Sequence, residues 1–115
     1  MLSSKSSGYL GFASKSRNLQ KGYNTCLSLI ERRKVKLLIV AEDSSPNTIK
    51  KMTQKCESTG TDYRIFGSKE ELSKVTGNSG NGIFAITGGN FAKVIIEEID
   101  RNQSEGEVFN DKKGI

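Results

Sequence analysis

The stretch 21–46, KGYNTCLSLIERRKVKLLIVAEDSSP, decides the fold because it holds the longest apolar run of the chain. Residues 37–41, LLIVA, are apolar at every position, without the alternation of a strand that has one face in water. Strands of this kind have both faces covered, as in a central, mostly parallel sheet. The run therefore predicts a core strand over 36–41, which the polar residues 42–46, EDSSP, bring to an end.

Helical and strand patterns alternate on both sides of this core strand. Helices are predicted over 3–17, from Tyr23 to near Arg33-Lys34, from Pro46 to about Ser58, from Ser68 onward, and from Asn90 to about Arg101. Strands are predicted around Leu19, over 62–66 and over 83–86. Polar side chains or glycines mark several helix ends: Asn24 and Ser45-Pro46 at N-termini, a capping box from Ser68 to Glu71, and Gly60 at a C-terminus.

The alternation of strands with helices across short loops indicates an α/β fold. We expect a three-layer α/β/α sandwich around a four-stranded, mixed sheet. The chain has 115 residues, which is enough for one hydrophobic core and too few for two. A single domain is predicted over 1–102, followed by a polar, disordered tail over 103–115.

The positive charge of the chain is concentrated in its first third. Residues 1–40 contain eight bases and one acid, a net charge of +7, whereas the rest contains ten bases and twelve acids. A one-sided basic surface favours a polyanionic partner, of which nucleic acid is the commonest. The alternative is a solvated surface that keeps a small protein soluble.

Cysteine content and hydropathy bear on the compartment. Cys26 and Cys56 each lie in a helical pattern and outside any CxxC pair, so we expect buried thiols rather than a disulfide. No apolar run approaches the ~18 residues of a membrane span, and no signal sequence is visible at the start. These features predict a cytoplasmic protein without a membrane partner.

Enzyme chemistry finds little support in the sequence. The chain has no histidine, no G-x-S-x-G and no Walker loop. The loop 77–82, GNSGNG, precedes a strand rather than a helix, which favours a surface loop over a phosphate cradle. Glu42-Asp43 could hold Mg²⁺ at the end of the core strand, but two adjacent carboxylates are better explained by helix capping and by complementation of a helix dipole. We therefore expect no catalytic residue, cofactor, metal or small-molecule substrate.

Recognition is the better-supported class of function. Lys21, Gly22 and Asn24 lie at the entry of the second helix, with Lys15 and Arg17 shortly before them. A helix N-terminus that carries an amide and bases can contact phosphates and can also reach exposed base edges. The alternative for Asn24 is an ordinary N-cap.

At these residues the chain resembles the ribosomal protein L7Ae/L30e family, and within it the bacterial YlxQ-type branch. The likeness covers roughly residues 8–100 and rests on several short matches: Gly11-Phe12-Ala13, Lys21-Gly22-x-Asn24, Ile30-Glu31-Arg32, Ala41-Glu42-Asp43-Ser44-Ser45, Asn47-Thr48, Lys50-Lys51 and Ala85-Ile86-Thr87. The resemblance implies an α/β/α sandwich, and binding of kink-turn RNA is common in the family. It therefore implies that this protein is ribosome-associated and binds structured RNA, either ribosomal RNA or a kink-turn-like RNA.

The chain departs from the kink-turn motif of that family at two of the three positions whose side chains recognise the RNA sequence. Thr25 stands where the motif has Glu, Ser28 stands where it has Lys, and the loop residues 78–81 are polar rather than apolar. Two hypotheses stay open: an RNA-binding protein, and a protein–protein module on the same fold that has lost base readout. The residues predicted to contact RNA are Lys15, Lys21, Gly22, Asn24, Thr25, Ser28, Gly77, Asn78, Ser79 and Gly80.

Overall fold

The computed structural model of the protein describes residues 4–77 and 82–114. In this part of the chain, helices and strands follow one another with short connections. They are α1 (Ser4–Lys15), β1 (Leu19–Lys21), α2 (Tyr23–Glu31), β2 (Leu37–Val40), α3 (Pro46–Thr59), β3 (Tyr63–Ile65), α4 (Lys69–Thr76), β4 (Ile83–Ile86) and α5 (Gly89–Gly114). The predicted elements are therefore present in the predicted order.

The strands of the described residues form one four-stranded sheet in the order β1-β4-β2-β3. β2 pairs in parallel with β3 and antiparallel with β4, and β1 pairs antiparallel with β4. The sheet is mixed, as predicted, with β2 and β4 at its centre. Because β2 and β4 run in opposite directions, the end of β2 lies beside the start of β4, where Val40 pairs with Ile83.

Side chains of β2 alternate between two hydrophobic cores. Leu37 and Ile39 pack with buried residues of α1, α4 and α5 on one face of the sheet. Leu38 and Val40 pack with buried residues of α2 and α3 on the other. All four β2 residues are fully buried, so the run of apolar residues without alternation is explained by helices on both faces. This arrangement confirms the predicted α/β/α sandwich.

Most of the predicted helix caps are present. The Ser45 hydroxyl accepts a hydrogen bond from the Thr48 N–H, and Pro46 follows at the first helical position. Ser68 and Glu71 form the reciprocal capping box of α4. Gly60 ends α3 in the left-handed conformation, with φ 73°, which glycine adopts without steric cost. Local polar signals thus set the boundaries of α3 and α4.

The predicted cap of α2 by Asn24 is wrong. The Gly22 N–H donates to the Ile83 carbonyl and keeps the chain extended to that point, so the helix begins at Tyr23 and Asn24 falls within its first turn. Gly22 is the N-cap, with φ 96° and no side-chain hydrogen bond to the helix. Asn24 therefore keeps its amide exposed to solvent.

The ends of α2 and α5 also differ from the prediction. α2 stops at Glu31 because Arg33 adopts a left-handed φ of 57°, which closes the last turn two residues before the predicted end. α5 continues to Gly114 rather than ending near Arg101. Polar composition by itself does not end a helix, since Glu, Gln and Lys are good helix formers. The disorder expected for 103–115 stays a prediction.

Both cysteines are free and buried, which confirms the prediction of thiols rather than a disulfide. They belong to the core between the sheet, α2 and α3. Burial raises the pKa of Cys26 to about 12 and that of Cys56 to about 11. Both thiols are therefore protonated at neutral pH and poorly nucleophilic.

An ion pair joins the edge strand β3 to α5. Arg64 donates two hydrogen bonds to the Asp100 carboxylate, from Nε to Oδ1 at 2.7 Å and from Nη2 to Oδ2 at 2.9 Å. The hydrogen bonds from Arg64 hold the pKa of Asp100 below its usual value. Because both side chains are partly exposed, at 28% and 46%, solvent screens the pair and its contribution to stability is modest.

A double-mutant cycle with Arg64→Gln and Asp100→Asn should give a coupling of about 0.5–1 kcal/mol at pH 7, measured by chemical denaturation. The folded-state pKa of Asp100 lies below the unfolded value of ~3.9, so this stabilisation is present above that pH. It should disappear as the pH falls through the folded-state pKa. Coupling that stays constant down to pH 2 would contradict the assignment.

Candidate nucleic-acid interface

The end of β2, the start of β4 and the N-termini of α2 and α3 surround an open pocket of about 280 Å³. No acidic residue is among its lining residues, which are Gly22, Tyr23, Ser44, Ser45, Thr48, Lys69, Gly82 and Ile83. Ligands of open α/β sheets commonly bind beyond the carboxyl ends of strands. The pocket is therefore the leading candidate for a binding site.

Backbone hydrogen bonds fix the position of the pocket. The Ala41 N–H, just after β2, donates to the Gly82 carbonyl at 2.7 Å. The Gly22 N–H donates to the Ile83 carbonyl at 3.1 Å. The two bonds hold the entry to α2 and the start of β4 against the end of the buried core strand. The walls of the site are thus part of the rigid sheet rather than a loose surface.

The N-terminus of α2 is open and electropositive. No side chain caps it and no acid lies in its first turn, so its free N–H groups and the helix dipole are not neutralised there. Asn24, Thr25 and Ser28 are exposed on the first two turns. These side chains offer an amide and two hydroxyls that can both donate and accept hydrogen bonds.

Ser44 supplies an unsatisfied polar group beside this helix. Its side chain is 8% exposed, and its Oγ has no hydrogen-bond partner among the described residues. A Cβ added to Gly82 would lie 2.9 Å from that Oγ and 3.0 Å from Lys69 Cε. A side chain at position 82 would therefore crowd the Ser44 hydroxyl and the Lys69 side chain, which pack closely around the glycine. An unpaired buried hydroxyl is uncommon and costly unless something binds it.

Glu42 and Asp43, weighed as Mg²⁺ ligands, have structural partners. The Glu42 carboxylate accepts a hydrogen bond from the Gly67 N–H at 3.2 Å, and Asp43 accepts from the Lys69 N–H at 2.9 Å. Both therefore stabilise the start of α4. Within the described residues, no group of three or more acids, cysteines or histidines is placed to hold a metal ion.

The structure gathers only part of the predicted RNA-contact set. Lys21, Gly22, Asn24, Thr25 and Ser28 lie on one stretch of chain, from the end of β1 through the first two turns of α2, and of these Gly22 lines the pocket. Residues 78–80, the predicted contacts Asn78, Ser79 and Gly80, lie outside the described residues.

Two other predicted contacts lie further away. Lys15 ends α1 and precedes β1, so the full length of that strand separates it from Gly22. Gly77 ends α4, at the opposite end of that helix from Lys69, which lines the pocket. Among the described residues of the predicted loop, Gly82 lines the pocket.

Sequence reasoning missed six lining residues: Tyr23, Ser44, Ser45, Thr48, Lys69 and Ile83. Ser45 was interpreted as a helix cap, and Thr48 only as part of the family resemblance. Their position directly after the core strand could have indicated a site, because that edge of the sheet is where α/β proteins commonly bind ligands. Lys69 carried no such signal, since its contact with the pocket depends on how α4 packs.

Comparison with known proteins defines the class of this protein. The model of the ribosomal protein L7Ae/L30e/S12e/Gadd45 family matches residues 4–96, and the chain belongs to this family.

Two curated relatives illustrate the similarity. The chain is 31% identical over 91 residues to the RNA-binding protein YlxQ of Bacillus subtilis (strain 168), covering 79% of this chain and 91% of that protein. It is 30% identical over 88 residues to the large ribosomal subunit protein eL8 of Cenarchaeum symbiosum (strain A), covering 76% and 70% of the two chains. The predicted resemblance is confirmed.

Solved structures share the fold at lower sequence identity. A protein with unknown function from Bacillus halodurans superposes with a TM-score of 0.82 at 23% identity, covering 85% of this chain and 99% of that one. A Giardia lamblia 15.5kD RNA binding protein superposes with a TM-score of 0.72, also at 23% identity, covering 83% and 84%. In the described part of this chain, no helix is long and apolar enough to cross a membrane.

Two neighbouring serines allow a test of the unsatisfied hydroxyl in the free protein. Ser45→Ala removes the cap of α3 and should lower the free energy of unfolding by about 1 kcal/mol. Ser44→Ala removes a hydroxyl that has no partner among the described residues, so it should not lower the free energy of unfolding and should raise it slightly. Urea denaturation measures both. An equal loss in the two variants would show that Ser44 already has a structural partner.

Proposed function

We propose that this protein binds structured RNA as a ribosome-associated factor. We expect RNA to contact the N-terminal end of α2, the pocket beside it and the loop 77–82 that the sequence indicates. The observation that carries the proposal is the buried Ser44 hydroxyl, which has no hydrogen-bond partner within residues 4–77 and 82–114 and lies in a pocket without acidic lining residues beside an uncapped helix N-terminus. The relatives named above as an RNA-binding protein and a ribosomal protein support the same class of partner.

Electrostatics favours a polyanion at this face. Positive charge at this face comes from Lys21 at the end of β1, from Lys69 in the pocket lining and from the positive end of the α2 dipole. A phosphate placed here would meet backbone N–H groups, a lysine ammonium and a serine hydroxyl. Asp43 lies nearby, but its carboxylate accepts the Lys69 N–H and helps to hold α4 in place.

The same face also offers groups that can read bases. The Asn24 amide can pair with a base edge through one donor and one acceptor at the same time. Thr25 and Ser28 can donate or accept through their hydroxyls, in place of the charged residues of the kink-turn motif. At about 280 Å³ the pocket is small for a ligand site and suits one unstacked base, whose polar edge the Ser44 hydroxyl could meet.

The second candidate is a protein–protein module. It is favoured by Phe12, which is 65% exposed on the outer face of α1. This helix packs on the layer of the sandwich opposite to α2 and α3. A single exposed aromatic residue is a smaller signal than a built pocket, so RNA binding is the function that the structure supports better.

The experiment that tests the proposal compares a standard kink-turn RNA with an RNA duplex of equal length across a salt series. Fluorescence anisotropy should show tighter binding to the kink-turn, with a preference that persists at physiological salt. Equal and steeply salt-dependent binding to both would mean that the basic first third acts alone. No binding to either RNA at 50 mM salt would reject the proposal in favour of the protein module.

Asn24→Ala should weaken binding to the preferred RNA by about 1–3 kcal/mol, the value of a lost bidentate base contact. Asn90→Ala is the matched control because Asn90 is also an exposed second residue of a helix, at the start of α5. The control should bind as the wild type does. Unchanged affinity in Asn24→Ala would mean that residues outside α2 recognise the RNA bases.

A further inference from the structure

A second groove lies on the outer surface of the layer formed by α2 and α3. It is open to solvent, has a volume of about 430 Å³, and is lined by Tyr23, Leu27, Lys51, Gln54, Lys55 and Ser58. Neither the predicted site nor the pocket at the end of β2 includes any of these residues except Tyr23. The groove therefore needs an explanation of its own.

The groove adjoins the pocket at Tyr23, which lines both, at the first turn of α2. Thr48 lines the pocket, and Lys51 and Lys55 follow it at spacings of three and four residues, which places all three on one face of α3. A chain that leaves the pocket past Tyr23 would therefore enter the groove directly.

The charge around the groove is strongly positive. Residues 23–34 and 46–59, which include both helices, contain six bases and two acids. Lys51 is exposed and forms no ion pair with any described residue, while Lys55 pairs with Glu31 at 3.3 Å. The second acid, Glu57, accepts a hydrogen bond from the Tyr63 hydroxyl on β3. The floor of the groove thus presents ammonium groups and amide donors.

We propose that this groove binds the sugar–phosphate backbone of an RNA strand that continues from the pocket. The inference rests on the proposed function and extends its interface beyond the N-terminus of α2. Phosphates would be bound by Lys51 and Lys55 and would meet the Gln54 amide and the Ser58 hydroxyl. The aromatic ring of Tyr23, at the junction, would stack on or pack against the nucleotide that turns from the pocket into the groove.

The dimensions of α3 set the length of this backbone contact. Thr48 and Lys55 are seven residues apart, which is about 10 Å along a helix that rises 1.5 Å per residue. Lys51 and Lys55 are four residues, or about 6 Å, apart along the same helix, so each can contact one phosphate of a strand in the groove. These phosphates contribute affinity and salt dependence but no sequence preference.

The test is the salt dependence of binding to a kink-turn RNA with a lengthened stem. Each phosphate contact contributes a slope of about 0.9 to the plot of log affinity against log salt. Lys51→Gln/Lys55→Gln should lower the slope by about 2 and weaken binding about five- to tenfold at 0.1 M salt. Lys74→Gln/Lys93→Gln removes the same charge from exposed residues of α4 and α5, on the opposite layer, and should leave the slope nearly unchanged.

A gain of affinity provides an independent check. Glu31→Gln removes the carboxylate that pairs with Lys55, so it should tighten binding by about two- to threefold at the same salt concentration. Equal losses in the two lysine pairs, or no gain in Glu31→Gln, would overturn the inference. Binding of a polyglutamate peptide as tight as that of the RNA, and lost in Lys51→Gln/Lys55→Gln, would instead assign the groove to an acidic protein.

The outcomes separate this inference from the proposed function. If the wild-type chain binds neither the kink-turn RNA nor the duplex, the proposed function is wrong, and so is the assignment of the groove to an RNA backbone. If Asn24→Ala weakens binding while Lys51→Gln/Lys55→Gln leaves the affinity and the salt slope unchanged, the pocket site stands and the groove does not bind the backbone.

Discussion

Burial of β2 on both of its faces is the constraint on which the rest of the structure depends. Its four side chains alternate between two cores, so helices must cover both sides of the sheet. The backbone hydrogen bonds just beyond the strand then fix the site, because the Ala41 N–H holds Gly82 in place. The fold and the candidate interface therefore share one cause. Disruption of β2 packing would displace the pocket together with the core.

The interface combines features that oppose stability with features that favour a polyanion. An uncapped helix N-terminus, an unsatisfied buried hydroxyl and a concentration of positive charge are each unfavourable in the free protein. A bound phosphate or base would satisfy all three at once. By contrast, α4 and α3, which start at the same edge, are fully capped by Ser68, Glu71 and Ser45. Only the start of α2 is left open, at the place where Asn24 is exposed.

The sequence predicted the fold well because its signals are local. Apolar runs, capping residues such as Ser45 and the glycine at position 60 act within one element. It erred at Asn24, since a backbone bond from Gly22 to Ile83, sixty-one residues away, decides where α2 begins. The candidate site shows the same difference between local and long-range signals. The sequence indicated the segment at Gly22 as part of it. The contribution of Lys69 depends on tertiary packing, which no local pattern encodes.

The most direct test of the central claim is to map which amides respond to RNA in the intact protein. Titration of ¹⁵N-labelled protein with a kink-turn RNA should shift the amide signals of Gly22, Asn24, Ser44 and Gly82 first and most strongly. Signals of the opposite layer, such as Phe12 on α1, should stay in place. The largest shifts on α1, α4 and α5, with the pocket unchanged, would contradict the account.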